Sequence, residues 1–454
     1  MHANAISSKP SDSPFAGVTG YHWLVVIIAS CGWLFDCMDQ RLFILAREPA
    51  LKELLHSDPE ALAQVKKYIG WATTAMIIGW ATGGIIFGMM SDKWGRVKTM
   101  IVTLLVYSGF TGLSGTAQTW EWFVGYRFLV GLGVGGMFGA ATTLVAESVP
   151  GHFRSLALGS LQALSATGNI LGSLISLWIQ PGSQDFLWGY SGWRVLFFVG
   201  ILPSLLVIPM IFVLKEPEPW KLSRAAAQTG QAGKAMGSPA ELFRHPRWRR
   251  NAVVGLMLGV SGMIGLWGIG FYSPELISTA LKGAPQETID TVRGWGTALQ
   301  DAGAFLGMLT FTFVASFMSR RLAFLGSFIL CLFTTMFVFN SLRTATDAYW
   351  MLPLMGFAQL AVFAGYSIYF PELFPTRLRG TGVGFCYNTV RYLAAPFPML
   401  MGYLTTNVFS GSAEPFRTAA MVMSIVYLLG IVALIWAPET KGQPLPEEDT
   451  PKAA

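Results

Sequence analysis

Two acidic residues and one arginine stand inside long apolar segments, where charged side chains are rare. Asp36 and Asp39 are three residues apart and share one face of a helix, and Arg127 lies on the stripe of Gly131 and Gly135. The rise of a helix places all three side chains roughly 10 to 25 Å into the apolar region. We predict that the two carboxylates share Arg127 and exchange a proton. A static ion pair is the alternative, although burying one for stability alone is unfavourable.

A second arginine, Arg391, stands in the middle of another apolar segment, with Asn388 on the same face. Because a guanidinium group binds a carboxylate through two parallel hydrogen bonds, we predict that Arg391 holds an anionic small molecule. Asp301, beside Gln300 in a different segment, is assigned to the same site. Alternatively, Asp301 neutralises Arg391 and leaves it no ligand to bind.

Polar side chains form a stripe along a further apolar segment. At helical spacing stand Gln162, Ser165, Asn169, Ser173 and Ser176. Such a stripe in an apolar helix most simply lines a water-filled cavity. Gln162 and Asn169 are therefore assigned to the binding site, together with Tyr272 and Gln359.

Two apolar segments end in copies of one pattern. An acid, a proline and an arginine recur after a shift of 225 residues, as Glu147, Pro150, Arg154 and as Glu372, Pro375, Arg379. Internal repetition of this kind indicates that the chain consists of two halves of one design. We predict that the two acids and two arginines belong to a gate whose contacts break and re-form.

A short loop follows the second apolar segment and carries Gly88, Asp92, Gly95 and Arg96. The glycines allow a tight turn and a close approach of helices, while Asp92 can pair with the cations that follow it. At the repeat distance the second half keeps only the basic end of this loop, Arg320 and Arg321. We therefore expect the gate to be asymmetric, because the first half has an acid in this loop, Asp92, and the second half has no counterpart of it.

The elements that position these residues follow from composition. Of 454 residues 53% are hydrophobic, more than a soluble chain of this length can bury, so the chain is predicted to lie in lipid. Apolar runs of about 20 or more residues recur twelve times, and helices are expected because irregular backbone facing lipid would be unsatisfied. The predicted spans are 21–45, 68–91, 96–117, 119–149, 154–180, 193–214, 250–279, 292–318, 320–341, 346–374, 379–408 and 416–437.

The basic residues set the orientation. Residues 215–250 carry eight lysines and arginines, whereas residues 181–192 carry none, so both termini are predicted to be cytoplasmic. We therefore attribute the formal charge of +6 to basic residues that lie at a membrane surface, and not to binding of nucleic acid. The predicted domains are an N-terminal tail (1–20), a six-helix bundle (21–214), a linker (215–249), a second six-helix bundle (250–437) and a C-terminal tail (438–454).

The loop pattern GxxxDxxGRxK at residues 88–98 is the signature of the major facilitator superfamily, which the chain resembles along its whole length. Arg127 and its glycines match the RxxxGxGxG pattern of that superfamily's fourth helix. Asp36 and Asp39 resemble the DGxD motif of aromatic acid:proton symporters and, more loosely, sialate and monocarboxylate symporters, with Cys37 in place of the glycine. In related organic-anion carriers a basic residue of the eleventh helix serves the substrate, which the resemblance implies for Arg391.

We therefore expect an all-α membrane protein with twelve transmembrane helices in two pseudo-symmetric six-helix bundles, the major facilitator fold. The predicted function is proton-coupled symport of a small organic acid, such as an aromatic acid, sialic acid or a monocarboxylate, by alternating access. A sugar or polyol porter is the alternative, and a transporter-like receptor is a third reading. The PETKG sequence at residues 438–442 resembles the end of sugar porters and organic-ion carriers, but the paired glutamines of sugar porters are absent.

Other classes of protein lack their signatures here. The chain has no phosphate-binding loop that would indicate ATP hydrolysis, and no nucleophile and base at plausible spacing for an enzyme. The four cysteines have unrelated spacing, so we expect no disulfide framework, no metal site and no cofactor. The expected location of the protein is the bacterial inner membrane, as a monomer.

Overall fold

The computed structural model describes residues 15–56, 58–63, 65–229, 235–394 and 396–447. Apart from one isolated bridge between Leu187 and Tyr190, the regular structure of these residues is helical. Parts of both predicted tails (1–14 and 448–454) and of the predicted linker (230–234) lie outside the described residues. The membrane-length elements are α1 (Gly20–Leu54), α2 (Val65–Trp94), α3 (Arg96–Ser114), α4 (Trp120–Ser148), α5 (Gly151–Ile179), α6 (Gly192–Val213), α7 (Pro246–Ala280), α8 (Gln286–Phe317), α9 (Arg320–Ser341), α10 (Ala345–Glu372), α11 (Arg379–Ala394 and Phe397–Tyr403) and α12 (Pro415–Ala433).

Ten of the helices in the described residues are long and apolar enough to cross a membrane. The two remaining membrane-length elements, α5 and α11, do not meet this combination of length and hydropathy. The polar stripe that includes Gln162 and Asn169 lowers the hydropathy of α5, and α11 is interrupted between Ala394 and Phe397. The predicted span 379–408 agrees with the limits of these helical segments, with a turn at Pro396 between them.

Two helices run well past their predicted ends. The first predicted span stopped at residue 45, yet α1 continues to Leu54, and α8 begins at Gln286 rather than at 292. Helical turns outside the lipid can carry polar residues, so hydropathy does not detect them. Short helices outside the spans are Pro59–Ala63, Glu218–Gln228 and Pro239–Arg244.

Local sequence explains several helix starts. Thr344 and Asp347 form a capping box at the start of α10, in which each side chain accepts a hydrogen bond from the other residue's backbone N–H. Gly95, between α2 and α3, has φ of 118°, a conformation that residues with a Cβ rarely adopt. The turn in the signature loop therefore requires glycine at this position.

Glycines set the spacing of α2 and α4 in the first bundle. A Cβ added at Gly79 would collide with the carbonyl of Phe128 on α4, and one at Gly131 would collide with the carbonyl of Met76 on α2. These contacts confirm that the glycine stripe of α4 permits close helix packing. The same close packing of α2 on α4 holds Trp80 and Arg127 in position in the first bundle.

The two bundles, α1–α6 and α7–α12, meet most closely near one face of the membrane. We call this the inner face, since it carries the basic segment predicted to be cytoplasmic, and the opposite one the outer face. Toward the inner face α2 packs on α11, where a Cβ at Gly88 would lie 2.7 Å from the carbonyl oxygen of Gly380. In the same region α5 packs on α8 and α10, and Ser367 donates a hydrogen bond of 2.9 Å to the carbonyl of Leu158. The bundles are therefore closed against each other at the inner face.

Candidate functional site

Asp39 and Arg127 form a buried pair inside the first bundle. Arg127 Nη1 lies 3.9 Å from Asp39 Oδ2, and the hydroxyl of Thr111 donates a hydrogen bond of 2.6 Å to Asp39 Oδ1. Arg127 also donates to Ser114 Oγ at 2.6 Å, and its guanidinium carbon lies 4.7 Å from the ring centre of Phe197. Both charged side chains are fully buried. The predicted pairing of Asp39 with Arg127 is thus present.

Asp36 does not share this arginine, and the prediction of two carboxylates around Arg127 is wrong in that respect. Both carboxylate oxygens of Asp36 are buried and accept no hydrogen bond from the described residues. The cation that acts on Asp36 electrostatically is Arg391, on α11 of the other bundle, although no ion pair within 4 Å joins the two side chains in the described structure. Three residues along a helix leave two side chains about 60° apart around its axis, which is enough to direct Asp36 toward the second bundle and Asp39 into the first.

Arg391 lies between aromatic rings at the junction of the bundles. Its Nη1 donates hydrogen bonds to the carbonyl of Tyr387 at 2.6 Å and to Asn388 Oδ1 at 3.0 Å. Its guanidinium carbon lies 3.8 Å from the ring centre of Trp80 on α2 and 4.8 Å from that of Tyr387. Its Nε has no hydrogen-bond partner among the described residues. The predicted grouping of Arg391 with Asn388 is confirmed, whereas nothing in the sequence pattern pointed to Trp80 or Tyr387.

Asp301 pairs with a different arginine from the one considered in the sequence. Arg41 Nη2, on α1, lies 2.9 Å from Asp301 Oδ2, on α8, so this ion pair joins the two bundles. The exposed fractions of the two side chains are 28% and 36%. The alternative that Asp301 neutralises Arg391 is therefore wrong. Arg41 was missed, although it is a third charged residue within the first predicted span.

The other predicted polar residues are dispersed. Gln162 is buried, and its Oε1 has no hydrogen-bond partner among the described residues. Asn169, two turns further along the same face of α5, is partly exposed. Gln359 donates to Thr335 within the second bundle at 3.2 Å. In other contacts, Gln300 packs against Gly356 and Tyr272 packs against Phe416.

At the inner face, Asp92 holds the first turn of α11. Its Oδ1 accepts from the backbone N–H of Gly380 at 2.9 Å, and its Oδ2 accepts from the N–H and hydroxyl of Thr381 at 2.8 and 2.7 Å. A carboxylate at a helix N-terminus is favoured by the unpaired N–H groups there. Asp92 also lies 3.2 Å from Arg96 Nη1. This contact between bundles is what we call the Asp92 latch.

The duplicated acids do not pair with the arginine that ends their own copy of the pattern. Glu147 accepts from Arg96 Nη2 at 2.9 Å and from Arg379 of the second bundle. In the matching position Glu372 accepts from Arg320 Nη2 at 3.1 Å. Arg154 and Arg379 each donate through Nε to a carbonyl eight residues earlier. The described hydrogen bonds include no bond between Glu147 and Arg154 and none between Glu372 and Arg379.

Comparison with known proteins gives the family. Residues 29–398 match the model of the Major Facilitator Superfamily. The chain belongs to this superfamily. Its fold has twelve spans, in agreement with the two six-helix bundles described above, and its members are transporters.

Three relatives indicate what similar transporters carry. The cis,cis-muconate transport protein of Acinetobacter baylyi is 28% identical over 79% of this chain and 82% of its own length. The niacin transporter NiaP of the same organism is 22% identical over 94% and 96%. The sialic acid transporter NanX of Escherichia coli is 28% identical over 76% and 80%.

A solved structure supports the fold. The proton:xylose symporter XylE bound to 6-bromo-6-deoxy-D-glucose has a TM-score of 0.77 at 17% identity, over 94% of this chain and 98% of its own. At that identity the likeness shows the architecture alone. The chain is therefore an integral membrane protein of this transporter fold.

In this transporter, two acids outside the spans cap helices at equivalent places in the two halves. Glu216 accepts hydrogen bonds from the backbone N–H groups of Arg96, Val97 and Lys98 at 2.7, 3.0 and 3.2 Å. Burial raises the pKa of Glu216, and the hydrogen bonds from Lys98 and Arg96 offset only part of that rise. Glu216 therefore fixes the start of α3, directly beside the turn at Gly95.

Glu439 caps α9 in the same way, accepting from Arg320 N–H at 2.9 Å. Burial opposes ionisation of Glu439, but hydrogen bonds from Ser319 and from the N–H of Lys441 outweigh this effect and lower its pKa. Glu216 and Glu439 thus cap α3 and α9, the third helices of the first and second bundles.

Removing the first cap is expected to destabilise the transporter. Glu216→Ala leaves three N–H groups without their partner and should reduce the free energy of unfolding by about 1–2 kcal/mol. Thermal unfolding of the detergent-solubilised protein measures the effect. Glu218→Ala is the control, because the side chain of Glu218 is 74% exposed and pairs with Lys221 on the surface. Equal shifts for the two variants would contradict the capping role.

Proposed function

We propose that the protein is a secondary active transporter that couples inward movement of a proton to that of a small organic acid by alternating access. One observation carries the proposal. A buried carboxylate of the first bundle, Asp36, and a buried arginine of the second bundle, Arg391, lie within electrostatic reach of each other at the interface that must open and close. Ionisable groups in the membrane interior mark substrate and proton pathways.

The pair suits an exchange of partners. When Asp36 takes up a proton, Arg391 loses its counter-charge and is free to bind the carboxylate of a substrate. The loaded site then carries no net charge at its centre, and the bundles can rearrange around it. Only a difference in free energy between the loaded and unloaded states moves such an equilibrium. Asp39 and Arg127, one turn away, support the proton site from within the first bundle.

The lining of the site favours a flat acid. Trp80 and Tyr387 present aromatic faces beside the guanidinium of Arg391, and Phe138 stacks on Tyr387 with ring centres 3.8 Å apart. Niacin and muconate, which the relatives are named for, are planar conjugated acids. Asn388, Gln162, Asn169 and Gln300 remain proposed as polar neighbours of the substrate.

A sugar or polyol porter is the second candidate, because the structural neighbour is a proton:xylose symporter. A neutral sugar has no carboxylate for Arg391 to bind. Uptake into proteoliposomes under an inward proton gradient, with radiolabelled nicotinate, benzoate, sialic acid and xylose, distinguishes the candidates. Accumulation of an acid supports symport of organic acids, and accumulation of xylose alone refutes it.

We also propose that both termini and the inner face are cytoplasmic, in the inner membrane of a bacterium. The domain limits follow: bundles at 21–214 and 250–437 joined by the linker 215–249. A monomer suffices for this mechanism, because both bundles belong to one chain.

Breaking the Asp92 latch is expected to open the inner face. Asp92→Ala removes three hydrogen bonds between bundles, and hydrogen bonds to charged groups contribute about 1.5–3 kcal/mol each, so the closed inner face should lose at least about tenfold in population. A cysteine at Thr312, buried where α8 packs on Gly159, reports opening through its rate of maleimide labelling.

The control for this prediction is Asp347→Ala. Asp347 caps α10 with the same type of hydrogen bonds but lies at the outer face and within one bundle. Labelling should rise in the Asp92 variant alone. An unchanged labelling rate in a correctly folded Asp92 variant would refute the role of the latch in closing the inner face.

A further inference from the structure

Arg41 and Asp301 lie on the outer side of the proposed substrate site. Arg41 follows Asp36 by five residues on α1, which places it roughly 7 to 8 Å nearer the outer face. Its stem passes Gly172 of α5, where an added Cβ would lie 2.9 Å from the Cβ of Arg41. The ion pair with Asp301 then bridges α1 to α8.

One face of α5 connects this ion pair with the level of Asp36. Ser165 lies beside Cys37, the neighbour of Asp36, and donates its hydroxyl to the carbonyl of Gln162 at 2.6 Å. Asn169 and Gly172 follow at one and two turns outward, and Asn169 is partly exposed. Arg41 therefore lies on the outward path along α5, in the direction in which a long substrate held by Arg391 would extend.

The charges grouped around the centre of the described structure balance one for one. Two of the acids form ion pairs, Asp301 with Arg41 and Asp39 with Arg127, and Asp36 lies within the electrostatic influence of Arg391 without contacting it. Protonation of Asp36 frees one positive charge, which one carboxylate neutralises. A second carboxylate on the substrate would arrive beside Asp301 without a counter-charge of its own, because Asp301 already neutralises Arg41. The pair is only partly buried, so the cost of the second carboxylate is repulsion by the like charge of Asp301.

We propose that Asp301, acting through Arg41, restricts the transporter to monocarboxylates. The inference rests on the proposed function, since it assumes that an acid binds Arg391. It separates this chain from a carrier of dicarboxylates such as the muconate transport protein among its relatives. Asp301 is thus a specificity-determining residue that need not touch the substrate.

Removal of the Asp301 charge should admit dicarboxylates. Asp301→Asn leaves Arg41 as an unpaired cation where the distal carboxylate arrives. We expect wild type to prefer a monocarboxylate over its matched dicarboxylate by at least about tenfold, and Asp301→Asn to reduce that preference by about tenfold. The double variant Arg41→Gln/Asp301→Asn has neither charge and should regain the preference of wild type.

Binding of two matched pairs tests this: benzoate with terephthalate, and sorbate with trans,trans-muconate. The members of each pair share a flat carbon frame and differ in the second carboxylate. Tryptophan fluorescence of the purified transporter reports binding, because Trp80 stacks on Arg391, and competition against labelled monocarboxylate uptake gives a second readout. Selectivity is a ratio within each variant, so a general loss of stability does not alter it.

The outcomes separate the two proposals. Equal affinity of wild type for both members of a pair, or an unchanged ratio in Asp301→Asn, overturns the monocarboxylate inference and leaves the proposed function in place. Failure of wild type to bind any of the four acids overturns the proposed function, and the inference with it. A lowered ratio in Asp301→Asn that the double variant restores supports the inference.

Discussion

Arg391→Ala is expected to lower the catalytic efficiency of acid uptake by at least about 100-fold. The substitution removes the cation proposed to bind the carboxylate and leaves Asp36 facing the interface without its counter-charge. Truncating one partner of a buried charged pair costs about 2–5 kcal/mol, and every 1.4 kcal/mol is about tenfold. Initial rates of uptake by reconstituted protein at several acid concentrations measure the loss.

Two controls accompany this variant. Arg391→Lys keeps the charge but loses the planar group that stacks on Trp80, so its uptake should lie between that of wild type and that of the alanine variant. Arg343→Ala removes an exposed arginine that pairs with Glu414 and should leave uptake unchanged. Acid uptake by Arg391→Ala at the rate of wild type would contradict the assignment of Arg391 to the substrate.

Asp36→Asn is expected to abolish accumulation against a gradient while the exchange of acid across the membrane continues. Asparagine resembles the protonated carboxyl group in shape and charge, so Arg391 remains free to bind the substrate. With no proton to take up or release, the proton gradient has no means of driving transport. Uptake under an inward proton gradient and counterflow of labelled acid without a gradient measure the two activities separately.

Asp36→Glu provides the matched control, because it keeps a titratable group at the same position. We expect this variant to retain accumulation at a reduced rate. Gradient-driven accumulation by Asp36→Asn equal to that of wild type would show that the proton is carried elsewhere. Loss of both accumulation and counterflow would show that Asp36 binds the substrate rather than the proton.

The sequence predicts the spans well because their physical cause is local. A helix that crosses lipid must be apolar over its length, so the hydropathy of each segment reveals it. The exceptions have local causes too: the polar stripe of α5 and Pro396 of α11 weaken the signal, and the outer turns of α1 lie beyond the apolar region.

The partners of the charged residues were less predictable. Asp36 and Asp39 share a sequence motif, yet they face different bundles and meet different arginines. Which arginine each acid meets depends on how α1 is rotated between α4, α8 and α11, and spacing along one chain does not specify this rotation. Arg41 was overlooked for the same reason, since its partner Asp301 is 260 residues away.

The repeat of the chain was a better guide at the inner face. The shift of 225 residues relates Glu147 to Glu372, and the structure pairs them with Arg96 and Arg320 in the same geometry. The expected asymmetry is also present, because Asp92 caps α11 and the matching position holds Phe317, which carries no acid. Only the pairing between bundles, of Glu147 with Arg379, required the structure.

The central claim is that a proton and an organic acid move together through the Asp36 and Arg391 site. The most direct test records proton entry and acid entry in the same proteoliposomes, with a trapped pH indicator and labelled nicotinate added outside at equal pH. Protein-free liposomes correct for passive entry of the uncharged acid, and Asp36→Asn proteoliposomes show how much acid enters through the protein without the proposed proton site. We predict that wild type acidifies the interior in proportion to the nicotinate it takes up beyond those controls. Protein-dependent uptake of nicotinate with no accompanying acidification would contradict the account.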